Sequence, residues 1–354
     1  MTARSGRVRQ ARITDLAALG ELSRLSHGAA NETRSLGLPV ASSPISVFSL
    51  FALPLGAFRP HDQIYVFEDA RRLSGLARVE RDASRDEWTI VELDAIGAAD
   101  AGEVRYRLVS HLLRDGAKRA VTRFHVACAD VTDNVELFMQ AGFIRYGQEM
   151  LLYRPPGERL PAPLGDEEVR ALRIRSAVPL DALPLSRLYA TVTPAPVVRL
   201  EAYRLTDWER QGGAWPVPRS SLAPLLRFAD LEAFVQESAD GGPDGSRLDA
   251  CVQVGISRTE QPDYLRIVAL PGADVGQLVR FALGDIAERT GGHRLNGFRG
   301  QRYDRGVIAP VRTYESPVER RLEEAGFESI ATVTLLMKEQ LVRVAEPVLV
   351  PAVR

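Results

Sequence analysis

The chain repeats its own ending. Ala141-Gly142-Phe143, seven residues, then Leu151-Leu152-Tyr153-Arg154 is matched by Ala325-Gly326-Phe327, seven residues, then Leu335-Leu336-Met337-Lys338. The offset is constant at 184 residues, from Gly142 to Gly326. A repeat of that length is a domain, whereas solenoid units recur every ~20–50 residues. At 354 residues the chain also exceeds one ordinary hydrophobic core. Two copies of one fold are therefore expected, and each can be used to read the other.

The halves align outward from this ending. Val8–Ile13 alternates as a short strand, and Thr14-Asp15 caps a helix with Leu16, Leu19, Leu22 and Leu25 at helical spacing. In the second half, Leu172–Arg175 precedes a helix carrying Leu180, Leu183, Leu185 and Leu188. Gln63–Phe67 and Leu73–Val79 read as a hairpin, followed by a strand at Trp88–Ile96. Their counterparts are Leu231–Glu237, Asp249–Ser257 and Tyr264–Leu270, with a breaker-rich turn at Asp240–Gly245. Each half then has a helix (Val104, Leu108, Leu112; Leu278, Ala282, Ile286) and a strand (Phe124–Ala129; Val307–Arg312). A short helix into Ala-Gly-Phe and a last strand complete each copy.

This order predicts an α/β fold, each copy a mixed, mostly antiparallel sheet flanked by helices. The expected units are residues 1–154 and 169–345, joined by a proline-rich linker at 155–168 and followed by a tail at 346–354.

Composition narrows the function. Net charge is −1, which argues against nucleic acid as a partner, because phosphate backbones demand a basic surface. The two cysteines, Cys128 and Cys251, fall one per half without ligand-spaced neighbours, so neither a metal site nor a disulfide framework is expected. No run approaches the ~18 apolar residues of a membrane span. A cytoplasmic protein with no membrane partner is the expectation.

An opening strand into an acidic helix start and a closing helix into Gly-Phe resemble the GNAT acetyltransferase superfamily. The resemblance covers Val8–Arg154 and Val169–Lys338, making the chain similar to tandem members of that family. It implies two tandem GNAT-like domains and an acyl-CoA co-substrate, acetyl-CoA first among them. It also implies transfer to an amine of a small molecule or peptide.

In that family a Gln/Arg-x-x-Gly-x-Gly/Ala loop opens the long helix, and its amides hold the pyrophosphate. The corresponding positions are Asp100, Glu103 and Arg105 in the first half and Leu270, Ala273 and Val275 in the second, so the motif is degenerate in both. Asp100 and Asp274 are instead placed as helix caps, which would compete with a phosphate for the same amides. The resemblance still assigns coenzyme binding to Ile96, Gly102, Glu103, Val104 and Arg105, with Arg105 a direct charge contact. The family's tyrosine acid falls on Phe138 and Leu322, which cannot donate a proton. Its strand glutamate falls on Glu92, on the face alternate to Val91 and Leu93, whereas the second half has Arg266. Glu92 is thus the candidate base, and a salt-bridged strand glutamate is the structural alternative. Asp94 shares its face.

Other groups are read from position alone. His125 and Cys128 lie on opposite faces of one strand, which precludes a nucleophile–base pair. His111 is expected on a polar helix face. The insertion Thr290–Gly306, rich in glycine and arginine, is either an anion-binding loop or a solvated one. Tyr203, Trp208 and Trp215 either line a cleft or pack against the other half. Two functions remain: an acyl-CoA-dependent N-acyltransferase working through the first half, and an inactive tandem fold serving as a ligand-binding or interaction module.

Overall fold

The computed structural model describes residues 6–28, 36, 62–70, 72–82, 85–96, 101–156, 160–209, 217–226, 228–241, 247–258, 261–292 and 305–341. Asp100, Trp215, the side chain of Leu25, and most of the Asp240–Gly245 turn and the Thr290–Gly306 insertion lie outside them. So do the C-terminal tail and residues 157–159 of the linker.

The first half runs β1 (Arg7–Gln10), α1 (Leu16–Gly28), β2 (Asp62–Asp69), β3 (Arg72–Asp82), β4 (Glu87–Ala95), α2 (Ala101–Lys118), β5 (Arg123–Ala129), α3 (Thr132–Gln140) and β6 (Ile144–Arg154). A short α4 (Asp166–Ala171) leads into the second half. This comprises β7 (Ile174–Ser176), α5 (Ala182–Val192), α6 (Ala195–Glu201), α7 (Leu205–Trp208), β8 (Phe228–Glu237), β9 (Leu248–Ser257), β10 (Asp263–Ala269), α8 (Val275–Gly292), β11 (Val307–Arg312), α9 (Ser316–Glu324) and β12 (Glu328–Glu339).

The twelve strands among the described residues form one sheet, ordered β1-β2-β3-β4-β5-β12-β6-β11-β10-β9-β8-β7. The halves have exchanged their last strands: β12 pairs with β5 of the first half, and β6 with β11 of the second. Read backwards with the halves interchanged, the order is unchanged. A pseudo-two-fold axis therefore passes through the antiparallel β6–β12 pair, where Glu149 stands opposite Val333, its own counterpart at the 184-residue offset.

The repeated ending combines a local turn with this exchange. Gly142 and Gly326 adopt φ of 85° and 87°, left-handed values that exclude most side chains. Each closes a helix by donating to a carbonyl three residues back, while the following Phe143 or Phe327 donates to Phe138 or Leu322, five back. The phenylalanines are then driven into the core, Phe143 edge-on to Phe138 at 5.3 Å. The basic residue ending each copy crosses to the other half. Lys338 Nζ donates to the Ala141 carbonyl (2.9 Å) and Arg154 Nε to the Ala325 carbonyl (3.1 Å), each a cation at a helix C-terminus.

Helices cover both faces. Val104, Leu108 and Leu112 of α2 and Leu278, Ala282 and Ile286 of α8 are buried at one-turn spacing against one face. Fully burying each such Val, Leu or Ile is worth ~1.5–3 kcal/mol. Leu19 and Leu22 of α1, and Leu185 and Leu188 of α5, bury against the other face.

Two helix expectations need correction. Leu180 and Leu183 are exposed, because α5 starts only at Ala182 after a 3-10 turn and turns those residues outward. Asp15 does not cap forward into α1. Its carboxylate reaches back to the Arg12 amide (2.7 Å) and grips Arg9 with two bonds, at 2.6 and 2.9 Å. Asp181 repeats this with Val178 and Arg175. The Asp–Arg pair locks strand to helix in both halves.

Candidate functional site

In each half the fourth and fifth strands start parallel and then part. β4 and β5 pair only over Glu87–Ile90 with Arg123–Val126, and β10 and β11 only over Asp263–Tyr264 with Val307–Ile308. Past those points each strand keeps its outer neighbour, so a gap opens in the sheet. Arg105, in the first turn of α2, feels both Asp94 on β4 and Cys128 on β5, so the helix begins over the first-half gap.

The second-half gap is closed by side chains. Arg266, two residues past the last paired position, sends Nη1 to the Pro310 carbonyl (2.8 Å) and Nη2 to Glu315 (3.1 Å). It thereby satisfies a carbonyl that the lost pairing exposes, and its charge is met by Glu315 and, at 3.8 Å, by Glu149. At the start of α8, Asp274 Oδ1 accepts from the Gln277 amide at 3.2 Å, the capping role expected of it. A carboxylate thus occupies one of the amides that would meet a phosphate.

The first half differs at both places. Glu92 takes the position of Arg266 and is buried, 4% exposed. Arg78 Nε lies 3.3 Å from its Oε2, yet neither Glu92 oxygen has a hydrogen bond of acceptable geometry. The result is a desolvated carboxylate that is ion-paired with Arg78, the structural alternative expected for it, and that keeps unmet hydrogen-bond acceptor capacity. Val91 next to it is the extra residue of a β-bulge, since pairing jumps from Arg78–Glu92 to Val79–Ile90. Val91 and Leu93 consequently bury in different cores, which breaks the simple alternation expected around Glu92.

Of the five residues assigned to the coenzyme, Gly102 and Glu103 are exposed on the first turn of α2, where backbone N–H groups have no helical partner. Among the described residues nothing lies within 4 Å of where a Cβ on Gly102 would be, which leaves the backbone there clear of them. Ile96 is half-buried and tied to β3, its amide donating to the Ser74 carbonyl at 2.9 Å, while Val104 packs into the α2 core. The Arg105 side chain is buried and donates to Asn134 Oδ1 of α3. Burial pulls its pKa down, opposed by Asp94. The amides of this helix start therefore fit a phosphate, whereas the Arg105 guanidinium faces the interior.

His125 and Cys128 do face opposite ways: Cys128 is in the α2 core, its thiol pushed by burial up to about 12, while His125 lies 3.4 Å from Glu87. His111 is half-buried, edge-on to Tyr65 at 5.6 Å, where a solvated polar face was expected; the Tyr65 ring claims that side of α2. Tyr203 and Trp208 pack with Tyr189 and receive the other half. Arg85, from the turn before β4, lies over the Tyr203 ring at 5.3 Å and donates to Asp207 and to the carbonyls of Glu201 and Ala202. No motif announces this contact, because its partners are more than 100 residues apart. Among the described residues no cluster of three or more His, Cys, Asp or Glu could hold a metal, and no helix is long and apolar enough to cross a membrane.

No family model matches the sequence, and no curated protein does. Solved structures match the fold over nearly the whole chain. A tandem GNAT protein from the clavulanic acid biosynthesis pathway superposes at TM-score 0.54 and 14% identity, covering 95% of this chain and 98% of its own. A GCN5-related N-acetyltransferase from Sphaerobacter thermophilus superposes at TM-score 0.50 and 14% identity, covering 94% and 95%. The chain has a tandem GNAT-like fold.

Proposed function

We propose that this protein is an acyl-CoA-dependent N-acyltransferase whose first half alone does chemistry, the second half having become its scaffold. The observation that carries this is the contrast at one position. Arg266 bridges the second gap, whereas Glu92 brings a buried carboxylate with unfilled acceptor sites to the first. The co-substrate is acetyl-CoA or another acyl-CoA, its phosphates met by the amides at Gly102 and Glu103. The acceptor is an amine of a small molecule or peptide. As the amine nitrogen attacks the thioester carbon, the C–N bond forms and the C–S bond breaks. Glu92 takes the amine proton directly or through a water. Phe138 offers no proton, so the departing thiolate takes one from solvent.

Thermal melting of the whole chain with acetyl-CoA tests the reading. At 100 times Kd, binding should add about 2.7 kcal/mol of stability. Glu92→Gln should retain that shift and lose about 10²–10⁴ of turnover. No shift at millimolar acetyl-CoA would sink the proposal. A non-catalytic ligand-binding or interaction module is the second reading, supported by the missing tyrosines; it requires that no amine is ever acylated, with or without a shift.

A further inference from the structure

A cleft lies between the halves where β4 and β5 begin to part, bordered there by Thr89, Val126 and Ala127. It is built by both: His125, Ala127 and Tyr146 come from the first, and Glu201, Ser221 and Arg312 from the second. Neither Glu92 nor the start of α2 borders it.

Its hydrogen-bond accounting is lopsided. The carboxylates around it already receive donors: Glu201 Oε1 from Arg312 Nη2 (2.8 Å), Glu201 Oε2 from the Tyr189 hydroxyl, and Glu149 Oε2 from the Ser221 amide (2.7 Å). Glu87 beside His125 receives Arg85 and, at 2.9 Å, Arg219. Donors are left over. Arg312 Nη1 and Ser221 Oγ are buried without a hydrogen-bond partner, and Arg312 is only 2% exposed. The Tyr203 oxygen accepts from the Arg219 amide (2.9 Å), and Ser220 Oγ accepts from Tyr264 (3.1 Å) and the Ala223 amide (3.2 Å). Each of those hydroxyls keeps its own hydrogen to give. A buried donor left unmet costs ~1–3 kcal/mol, more when charged, so a ligand with acceptors gains what the protein alone forgoes. Ala127, Pro224 and Leu335 add apolar wall, and the Tyr146 and Tyr203 rings suit a flat body.

We infer that this inter-half cleft binds a small carboxylate with a flat apolar body, its carboxylate meeting Arg312 Nη1 and the Ser221 hydroxyl. Because both halves build it, occupancy ties them together.

Calorimetric titration of the full chain with benzoate, and with benzamide as the uncharged isostere, tests this. Benzoate should bind saturably with one site per chain and raise the melting temperature, and benzamide should bind at least about tenfold more weakly. Ser221→Ala removes a hydroxyl that has no partner, so it should leave the unliganded melting temperature alone and weaken benzoate about tenfold. Ala127→Leu should fill the cleft and abolish binding. No heat at about 10 mM benzoate, equal affinity for benzamide, or benzoate binding untouched by Ser221→Ala would each overturn the inference.

Discussion

At the scale of single residues the molecule is governed by buried charge. Glu87 opens β4 and is 3% exposed, and burial alone would raise its pKa. His125, Arg219 and Arg85 outweigh that and hold it down to about 2 from 4.5. A depressed carboxylate stabilises the fold fully above its unfolded pKa and loses that contribution as pH falls through its folded value. Stability should therefore drop between about pH 4.5 and 2, by at most roughly 3 kcal/mol from this group. Glu87→Gln should flatten that segment of a denaturation-versus-pH curve; an unchanged slope would show that other carboxylates control acid unfolding. Arg85→Ala should cost about 3–5 kcal/mol at neutral pH, since it strands Asp207 and two carbonyls across the interface. Urea midpoints would measure it.

At the scale of elements, the turns were more legible than the pairings. Gly142 and Gly326 could be located from sequence because a left-handed helix end needs glycine and a following apolar residue, a purely local requirement. Strand and helix order could also be read, since periods of two and 3.6 are local. The bulge at Val91 could not, because β3 must be in place to show the extra residue. Glu92 was reachable by position, while its neighbour Arg78 emerged only from strand pairing. The cleft residues Glu201, Ser221 and Arg312 carried no motif at all. A consequence can be measured at the shared turn. Gly142→Ala and Gly326→Ala should each cost about 1–2 kcal/mol, as both force a Cβ into left-handed backbone. Asp274→Ala should cost about 0.5–2 kcal/mol through its lost cap. It should leave acetyl-CoA binding unchanged if the first half alone binds it.

At the scale of the whole molecule, neither half has a complete sheet of its own, because β6 and β12 each close the other's. Sequence could not reveal this: the two last strands have nearly the same pattern, and nothing local says which fifth strand each will join. Unfolding followed by tryptophan fluorescence and by far-ultraviolet circular dichroism should coincide in one transition. Two separated transitions would mean that the halves stand alone. Cleavage between Pro156 and Leu160 should leave the fragments associated through size-exclusion chromatography. The axis pair carries a further meaning. In a symmetric homodimer, a residue on the two-fold faces its own twin, so a glutamate there would meet a glutamate and a valine a valine. Joining the copies in one chain lifts that rule, and Glu149 can face Val333. A single negative charge can then sit at the centre, bonded to the Ser221 amide and answered by Arg266 and Arg312 of one half only. Covalent fusion is what permits this molecule to be lopsided at its midpoint.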